Sequence, residues 1–312
     1  MKSRIKPRIP RRSVHGILLF DKPLGLSSND ALQRVKRLFR AEKAGHTGSL
    51  DPLASGMLPI CFGQSTKLCG QLLDSDKRYT ARLRLGEKTT TGDAEGEIIA
   101  RSDAALLSRE ALEAAIPAFT GVITQVPPMY SALKHQGQRL YELAREGVEV
   151  ERQPRQLTIH ALRLTAFGGG ECELDVHCSK GTYIRTLAED LAAAVGHCAH
   201  LVGLRRTAVA PFEGQPLSWE ALEALAGQGE AALDACLLDP ALALRDWPQV
   251  RLEEARAHYL SRGQAVRVEG APKEGRVAVL DEAGRLLCLA EIDAGGLVAP
   301  RRWLAVPAPD AE

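Results

Sequence analysis

The sequence lacks long apolar runs, and this absence limits where the protein can reside. No window approaches the roughly 18 to 20 uninterrupted apolar residues that a membrane-spanning helix needs. Near the N-terminus a short apolar stretch, Gly16 to Phe20, is followed at once by Asp21 and Lys22. A secretory signal needs a longer stretch and a small-residue cleavage site. We therefore expect a cytoplasmic protein that makes no contact with a membrane.

Paired cysteine motifs are also missing, although the chain has seven cysteines and none of them forms a CxxC. Their odd number and irregular gaps argue against a disulfide framework or a zinc ribbon. The best metal candidate is the group of His197, Cys198 and His200, with Cys172 and Cys178 upstream. Cys172 and Cys178 share one face of an alternating strand, where a cysteine behaves as a small core residue. We therefore predict no metal site.

Several sequence motifs of cofactor-dependent enzymes are absent. The chain contains no GxGxxG, no GxxxxGK followed by Ser or Thr, and no HExxH. These motifs bind dinucleotides, nucleoside triphosphates and catalytic zinc, respectively. A zinc deaminase would need an HxE and a PCxxC, and neither is present. We expect a reaction that requires no cofactor.

Charge is divided unevenly along the chain, although its formal net value is only +1. Residues 1–210 have 30 Lys and Arg against 22 Asp and Glu, whereas residues 211–312 have 10 against 17. The first twelve residues carry six basic groups and no acid. A basic tail beside a basic half is favourable for a polyphosphate partner. A tail that only aids solubility would have the same composition, and charge alone leaves both interpretations open.

The length of 312 residues and changes in composition predict two domains and a tail. Residues 1–12 form the basic tail and 13–246 the larger domain. Within the latter, residues 127–155 are rich in Pro, Gly and basic side chains, so they form either an arm over a ligand or a plain surface excursion. Residues 247–312 contain a predicted hairpin around Glu282-Ala283-Gly284 and form a small β-domain.

Hydrophobic periodicity predicts the main elements of the larger domain. A buried strand covers His15 to Phe20, and a helix capped by Ser27, Ser28 or Asn29 follows it. Alternation predicts strands over Tyr79 to Leu85, Leu157 to Phe167 and Cys172 to Cys178. Helices are predicted over 107–119, 138–146, 182–195 and parts of 217–246.

The segment from Gly45 to Lys67, GHTGSLDPLASGMLPICFGQSTK, has the composition of a functional loop that leads into a strand. Its glycines permit turns and close backbone approach. Pro52 confines Asp51 to extended backbone geometry, so the carboxylate is aimed by the backbone. A lone, rigidly presented carboxylate suits a nucleophile or a base. An aspartate that caps a turn is the commoner alternative.

Several blocks of sequence, in order, resemble the TruB family of tRNA pseudouridine-55 synthases. The pattern GHTGxLDPxAxGxL runs from Gly45 to Leu58, and GILLFDKP precedes it from residue 16. Further on are DSDKRY at 74–79, CSKGTYIRTL at 178–187 and LRR at 204–206. Each block alone is a weak signal, but their combination from about residue 14 to 210 is highly specific.

The resemblance implies a role for each matching residue. Asp51 would be the nucleophile or essential carboxylate, and Arg185 would pair with it. Tyr79 would lie against the target base and is also a candidate catalytic base for removing a ribose proton; a core tyrosine of its strand is the alternative. Tyr183 would line the pocket and Leu204 would pack beneath the base. The remaining substrate contacts would come from His46 and from the turn at Lys22.

The resemblance further implies an α+β pseudouridine synthase fold with a mixed, mainly antiparallel sheet and a C-terminal PUA-like β-barrel. The substrate would be the T-arm stem-loop of tRNA, whose uridine 55 is flipped out and isomerised. Pseudouridine formation breaks the bond between uracil and ribose and rejoins the ring through carbon, so nothing is oxidised or hydrolysed. We expect a monomer without an obligate protein partner. The alternative is a non-catalytic tRNA-binding or folding factor that uses the same cleft.

Overall fold

The computed structural model describes residues 10–305, so most of the basic tail lies outside the described part. Strands and helices alternate irregularly along the chain, as expected for an α+β protein. The strands are β1 Gly16–Lys22, β2 Ala44–His46, β3 Ala54–Phe62, β4 Lys77–Leu85, β5 Glu87–Thr89, β6 Ile98–Arg101, β7 Gly121–Gln125, β8 Lys134–His135, β9 Gln138–Arg139, β10 Arg155–Gly168, β11 Glu171–Cys178, β12 Ala199–Val209, β13 Gln249–Leu252, β14 Val266–Arg267, β15 Gly275–Asp281, β16 Leu286–Ile292 and β17 Leu297–Trp303. The helices are α1 Ser28–Leu38, α2 Cys69–Leu73, α3 Arg109–Ala115, α4 Leu140–Arg145, α5 Ile184–Ala194, α6 Trp219–Gln228, α7 Glu230–Ala235 and α8 Glu254–Ser261.

The larger sheet has eight strands in the order β1-β3-β12-β4-β11-β10-β7, and β2 pairs with β3. Only the β3–β12 pairing is parallel; the other pairings in this sheet are antiparallel. Strand β3 is buried along nearly its whole length, which is typical of a strand covered on both faces. The mixed, mainly antiparallel sheet that we predicted is confirmed.

Helices cover the sheet at both ends. At the β1–β3 end, α1, α6 and α7 pack on one face, where Phe20, Val35 and Leu222 are buried. At the other end, α3 and α5 pack on β4, β10 and β11, where Leu112, Leu187 and Val176 are buried. Alternate residues of β11 are buried, and both Cys172 and Cys178 lie in this core as their spacing predicts.

The C-terminal residues form a second, five-stranded sheet in the order β13-β15-β16-β17-β14. Strands β15 and β16 are antiparallel neighbours, so the predicted hairpin is confirmed. A shared apolar cluster joins the two sheets, since Ile17 and Met57 of the first belong to the same cluster as Leu280 and Leu289 of the second. The two sheets therefore have a common core at this point.

Two predicted elements have different bounds in the structure. The helix predicted over 107–119 consists of α3 and a 3₁₀ helix, Ile116–Phe119, because Pro117 interrupts the regular hydrogen bonding. In 138–146 the helix begins only at Leu140, since residues 138–139 pair with 134–135 as a small hairpin. The segment 199–209, for which no strand was predicted, forms the long strand β12.

Candidate active site

The loop that carries Asp51 connects β2 to β3, and neighbouring elements hold it in place. The hydroxyl of Ser28, at the start of α1, accepts a hydrogen bond from the amide of Leu50 at 2.7 Å and donates to its carbonyl at 3.0 Å. Gly25, in the turn after β1, donates its amide to the carbonyl of Pro52 at 2.8 Å. The carbonyl of Asp51 itself accepts from Ala54 at 2.9 Å. The loop is thus fixed on both sides of the carboxylate.

Arg185 lies at the start of α5 and forms an ion pair with Asp51. Its Nη2 is 3.1 Å from Oδ2 of Asp51. The arginine side chain is only 10% exposed, whereas that of Asp51 is 51% exposed. One side of the carboxylate therefore faces the guanidinium and the other is open to a ligand.

A second carboxylate contacts Arg185 from the interior. Nη1 of Arg185 is 3.3 Å from Oδ2 of Asp93, which is 4% exposed. Nη1 also donates to the carbonyl of Thr91 at 3.1 Å, and Nη2 donates to the carbonyl of Tyr130 at 2.7 Å. Because hydrogen bonds to Asp93 and to the two backbone carbonyls fix its donors, the guanidinium holds one orientation toward Asp51.

Asp51 opens into a cavity of about 340 Å³. Five of the predicted site residues line it: Asp51, Tyr79, Tyr183, Arg185 and Leu204. Small-molecule sites of proteins are typically clefts of about 300–1,000 Å³ lined by apolar and aromatic side chains with a few polar groups. The structure therefore brings these five residues together around a space of suitable size for a small ring.

Tyr79 is a buried residue of β4, directly opposite Arg206 of β12 and Val176 of β11. Burial raises the pKa of Tyr79 above its ordinary value, while the charge and a hydrogen bond of Arg206 act in the opposite direction. Because burial outweighs them, the phenol is protonated at neutral pH. Leu204 lies two residues before Arg206 on the same strand, where it pairs with both Ala81 and Ala54.

Arg206 is almost fully buried and binds backbone carbonyls of the Asp51 loop and of the following strand. Its Nε donates to the carbonyl of Met57 at 2.7 Å, and its terminal nitrogens donate to the carbonyls of Ser49 and Gly48 at 3.4 and 3.3 Å. Gly56 has a φ of +103°, and a Cβ there would overlap the backbone of Arg206. Only glycine permits this close approach of β3 and β12.

Tyr183 precedes α5 and is held through its backbone. The amide oxygen of the buried Gln125 accepts from the Tyr183 amide at 3.0 Å, and the Gln125 side-chain nitrogen donates to the Tyr183 carbonyl at 3.2 Å. Burial raises the pKa of the Tyr183 phenol. Gln125, the last residue of β7, thus fixes the backbone of Tyr183 directly before α5.

Two predicted substrate contacts do not line the cavity. Lys22 is fully buried and donates to the carbonyls of Pro23 and Leu26 at 2.9 and 2.7 Å. Burial lowers the pKa of Lys22 to about 8, against a smaller opposing effect of Asp51. His46 lies on β2, and burial and the charge of Arg206 lower its pKa. Lys22 therefore holds the turn that follows β1, and neither residue is part of the cavity lining.

Asp93, Gln125 and Lys77 were not predicted to be functional. Arg206 was noted only as part of the LRR block at 204–206. Asp93 follows three threonines and a glycine, a polar run that is a weak signal for a functional turn. Lys77 lines the cavity, and burial lowers its pKa to about 8. Nothing in the local sequence of Gln125 distinguishes it from an ordinary strand residue.

The insertion that we predicted at 127–155 contacts the other side of Arg185. A second cavity, of about 460 Å³, lies between this insertion and the segment 88–92, and Arg185 lines both cavities. Basic side chains of the second cavity include Lys88 and Arg152.

Among residues 10–305, no helix is long and apolar enough to cross a membrane.

Comparison with known families gives matches along most of the chain. Residues 36–184 match the N-terminal domain of the TruB family pseudouridylate synthases. Residues 185–244 match the C-terminal domain of tRNA pseudouridylate synthase B, and residues 248–304 match a C-terminal domain of pseudouridine synthase II TruB.

Relatives with curated names cover nearly the whole chain. The tRNA pseudouridine synthase B of Nitrosococcus oceani is 52% identical over 298 residues, which are 95% of this chain and 97% of that protein. The protein of the same name from Stutzerimonas stutzeri is 53% identical over 296 residues, with coverage of 94% and 97%.

Among solved structures, a Cbf5–Nop10–Gar1 complex contains a chain that aligns with a TM-score of 0.74 at 22% identity. The alignment covers 93% of this chain and 85% of that one. A chain of an H/ACA ribonucleoprotein bound to a substrate RNA aligns with a TM-score of 0.72 at 21% identity, over 94% and 86% of the two chains. At these identities the alignments show a common fold.

Proposed function

Because the chain belongs to the TruB family of pseudouridylate synthases, we propose that it isomerises uridine 55 in the T-loop of tRNA to pseudouridine. Its relatives are named tRNA pseudouridine synthase B. One observation supports the chemistry most directly: a half-exposed Asp51 carboxylate, paired with a buried Arg185, opens into a cavity lined by two tyrosines and a leucine.

In this proposal Asp51 is the catalytic carboxylate. The ion pair with Arg185 leaves one face of the carboxylate accessible, and bidentate or charge-assisted contacts of a guanidinium fix the orientation of an acid. The carboxylate attacks the ribose, attacks the uracil ring, or assists elimination of the base; the resting geometry is compatible with each. In all three cases the bond from ribose to N1 breaks and the bond from ribose to C5 forms, with transfer of one proton and no redox change.

Tyr79, Tyr183 and Leu204 would form the walls that receive the base. Extruding a base from a folded RNA loop costs about a few kcal/mol. Stacking on an aromatic side chain returns about 1–3 kcal/mol per base. The raised pKa of Tyr79 favours this stacking role over that of a base that removes a ribose proton.

The position of the Asp51 loop would depend on three further residues: Lys22, His46 and Arg206. Arg206 donates to the carbonyls of Gly48 and Met57, which precede and follow Asp51 in the chain, and Lys22 donates to two carbonyls of the turn after β1. His46 ends the strand that leads into the loop. A contact of His46 with the opened RNA loop remains part of the proposal, and it requires the RNA to reach the edge of β2.

The rest of the chain would bind the tRNA. RNA loops are recognised by shape, stacking and extruded bases, which a cavity within a basic domain can provide. We assign the isomerisation to residues 13–246, an RNA-contacting arm to 127–155, and a PUA-like RNA-binding role to 247–312. The protein would act in the cytoplasm as a monomer.

The decisive experiment incubates the full chain with an unmodified T-arm stem-loop and EDTA, and measures pseudouridine in the RNA. We expect complete conversion by the native protein without any added cofactor. Asp51→Asn should end turnover while binding of the stem-loop stays nearly intact. Asp246→Asn, at an exposed acid of the C-terminal region, is the matched control and should behave as the native protein.

The same experiment separates the alternative function. A tRNA-binding or folding factor would bind the stem-loop but produce no pseudouridine with either protein. Unchanged turnover in Asp51→Asn would refute the assignment of the carboxylate, even if the native protein is a synthase.

A further inference from the structure

Three metal-binding side chains converge on the outer face of the larger sheet, outside the Asp51 cavity. Asp76, His160 and His177 each offer one ligand atom, and these atoms lie within 4.8 Å of one another. Nε2 of His160 is 3.0 Å from Oδ2 of Asp76, and the two imidazole rings are 4.7 Å apart at an angle of 44°. Within residues 10–305 this is the one group of at least three His, Cys or acidic side chains with such spacing.

The two histidines lie beside a β-bulge, on the face of the sheet opposite the core. In the pairing of β10 with β11, Ile159 lies opposite Cys178 and Ala161 lies opposite His177, so His160 is the extra residue. Ile159 and Cys178 are buried in the core, whereas His160 is exposed. Bulges re-aim a side chain and are frequent next to functional sites.

The third ligand comes from the neighbouring strand. Asp76 directly precedes β4, whose next residues Lys77 and Arg78 pair with Cys178 and His177. The carbonyl of Asp76 accepts a hydrogen bond from Ala210 at 2.9 Å, which holds its backbone. The three ligands therefore come from three adjacent, hydrogen-bonded segments of one sheet.

The three side chains are accessible from solvent. The side chains of His160 and Asp76 are 36% and 40% exposed. His177 is half-buried beside them.

We propose that Asp76, His160 and His177 form a binding site for a divalent transition metal ion of the Zn²⁺ class. Two imidazoles and one carboxylate are a ligand set that zinc accepts, with the fourth position left to water. Imidazole donors favour zinc, copper and nickel over magnesium and calcium. Zinc binds such donors at roughly 2.0–2.2 Å, so metal binding would require the three side chains to rotate toward a common point.

The position of the site gives a metal ion a structural effect. Asp76 directly precedes Lys77 and His177 lies two residues before Ser179, and both Lys77 and Ser179 line the Asp51 cavity. A metal ion would join the segments that enter the cavity from β4 and β11. The ion would stabilise this edge of the cavity without taking part in the isomerisation, so turnover in EDTA is compatible with the proposal.

The test titrates the full-length, metal-free protein with Zn²⁺ and follows the ring signals of its eight histidines by NMR. We expect the signals of His160 and His177 to shift together at one equivalent, and the melting temperature to rise. Loss of a group that only hydrogen-bonds to a metal ligand lowers metal affinity by about 10–100-fold. Loss of a ligand itself should cost at least as much, so we expect His160→Ala or His177→Ala to weaken Zn²⁺ binding at least tenfold. His258→Ala, at an exposed histidine of α8, is the matched control and should bind as the native protein.

Two outcomes would overturn the proposal. Zinc bound by cysteines elsewhere would raise the melting temperature equally in the native protein and in the two histidine variants. A simple ion pair of His160 with Asp76 would make the ring signals respond to pH but not to Zn²⁺. Both results can be read from the same samples, and neither affects the assignment of Asp51.

Discussion

Replacing Asp93 by asparagine removes one charge from the interior with almost no change of shape. Oδ1 of Asp93 accepts from the Thr91 hydroxyl at 2.6 Å and from the Glu95 amide at 3.1 Å. The amide oxygen of an asparagine can keep both contacts. The contact that changes is the one at 3.3 Å from Oδ2 to Nη1 of Arg185, where an amide nitrogen would face the guanidinium.

The loss of unfolding free energy in Asp93→Asn depends on the contacts that Arg185 keeps. A hydrogen bond to a charged group contributes about 1.5–3 kcal/mol, and breaking a buried ion pair by removing one partner costs about 3–5 kcal/mol. Arg185 keeps Asp51 and two carbonyl acceptors, so we expect the lower range, about 1.5–3 kcal/mol, for the loss of unfolding free energy. A displacement of a catalytic group by 1 Å can cost about 10²-fold in rate, and we expect a loss of that order in turnover.

Single-turnover formation of pseudouridine in a T-arm stem-loop measures the rate, and urea unfolding measures stability. Binding of the stem-loop should be unchanged because Asp93 is buried. Glu95→Gln, two residues away and exposed, is the control and should leave all three quantities unchanged. Native turnover in Asp93→Asn would show that Arg185 does not depend on its interior partner, and the reasoning would be refuted.

Further predictions concern the support of the Asp51 loop. The pKa of Lys22 is about 8 in the folded protein, against 10.5 for an ordinary lysine. Between about pH 8 and pH 10.5 the unfolded chain therefore binds more protons at this lysine than the folded protein does. The free energy of unfolding should rise with pH over this range. Lys22→Met should remove that rise, as measured by urea unfolding from about pH 8 to about pH 10; parallel curves for the two proteins would contradict it. Gly56 and Gly214 share a φ of +103°, but only a Cβ at Gly56 meets other atoms. Gly214→Ala should therefore cost about 1–3 kcal/mol for backbone strain and Gly56→Ala clearly more, whereas equal losses would show that the contact with Arg206 is unimportant.

The loop around Asp51 could be predicted because the residues that indicate it are close neighbours in the sequence. Pro52 and the neighbouring glycines mark an irregular loop, and the capping serine before α1 marks where that helix begins. Ser27 does cap α1, accepting from the amide of Asp30 at 3.1 Å. The alternation along β11 likewise assigned Cys172 and Cys178 to the core, where both are buried.

Contacts between distant parts of the chain were not predictable in this way. Asp93 and Arg185 are 92 positions apart, and nothing in the sequence near either residue indicates the other. Strand β12 was missed because Gly203, Arg205 and Arg206 interrupt its apolar alternation. Arg206 is buried because the carbonyls of the Asp51 loop satisfy its donors, a condition that exists only in the folded protein.

The Tyr130 carbonyl has a consequence for redesign of the chain. This acceptor belongs to the segment 127–155, and Gln125, which fixes Tyr183, is the last residue of the strand before it. Shortening this segment to obtain a minimal catalyst would therefore deprive Arg185 of an acceptor at 2.7 Å. A segment grafted from another protein preserves the site only if it places a backbone oxygen at the same position.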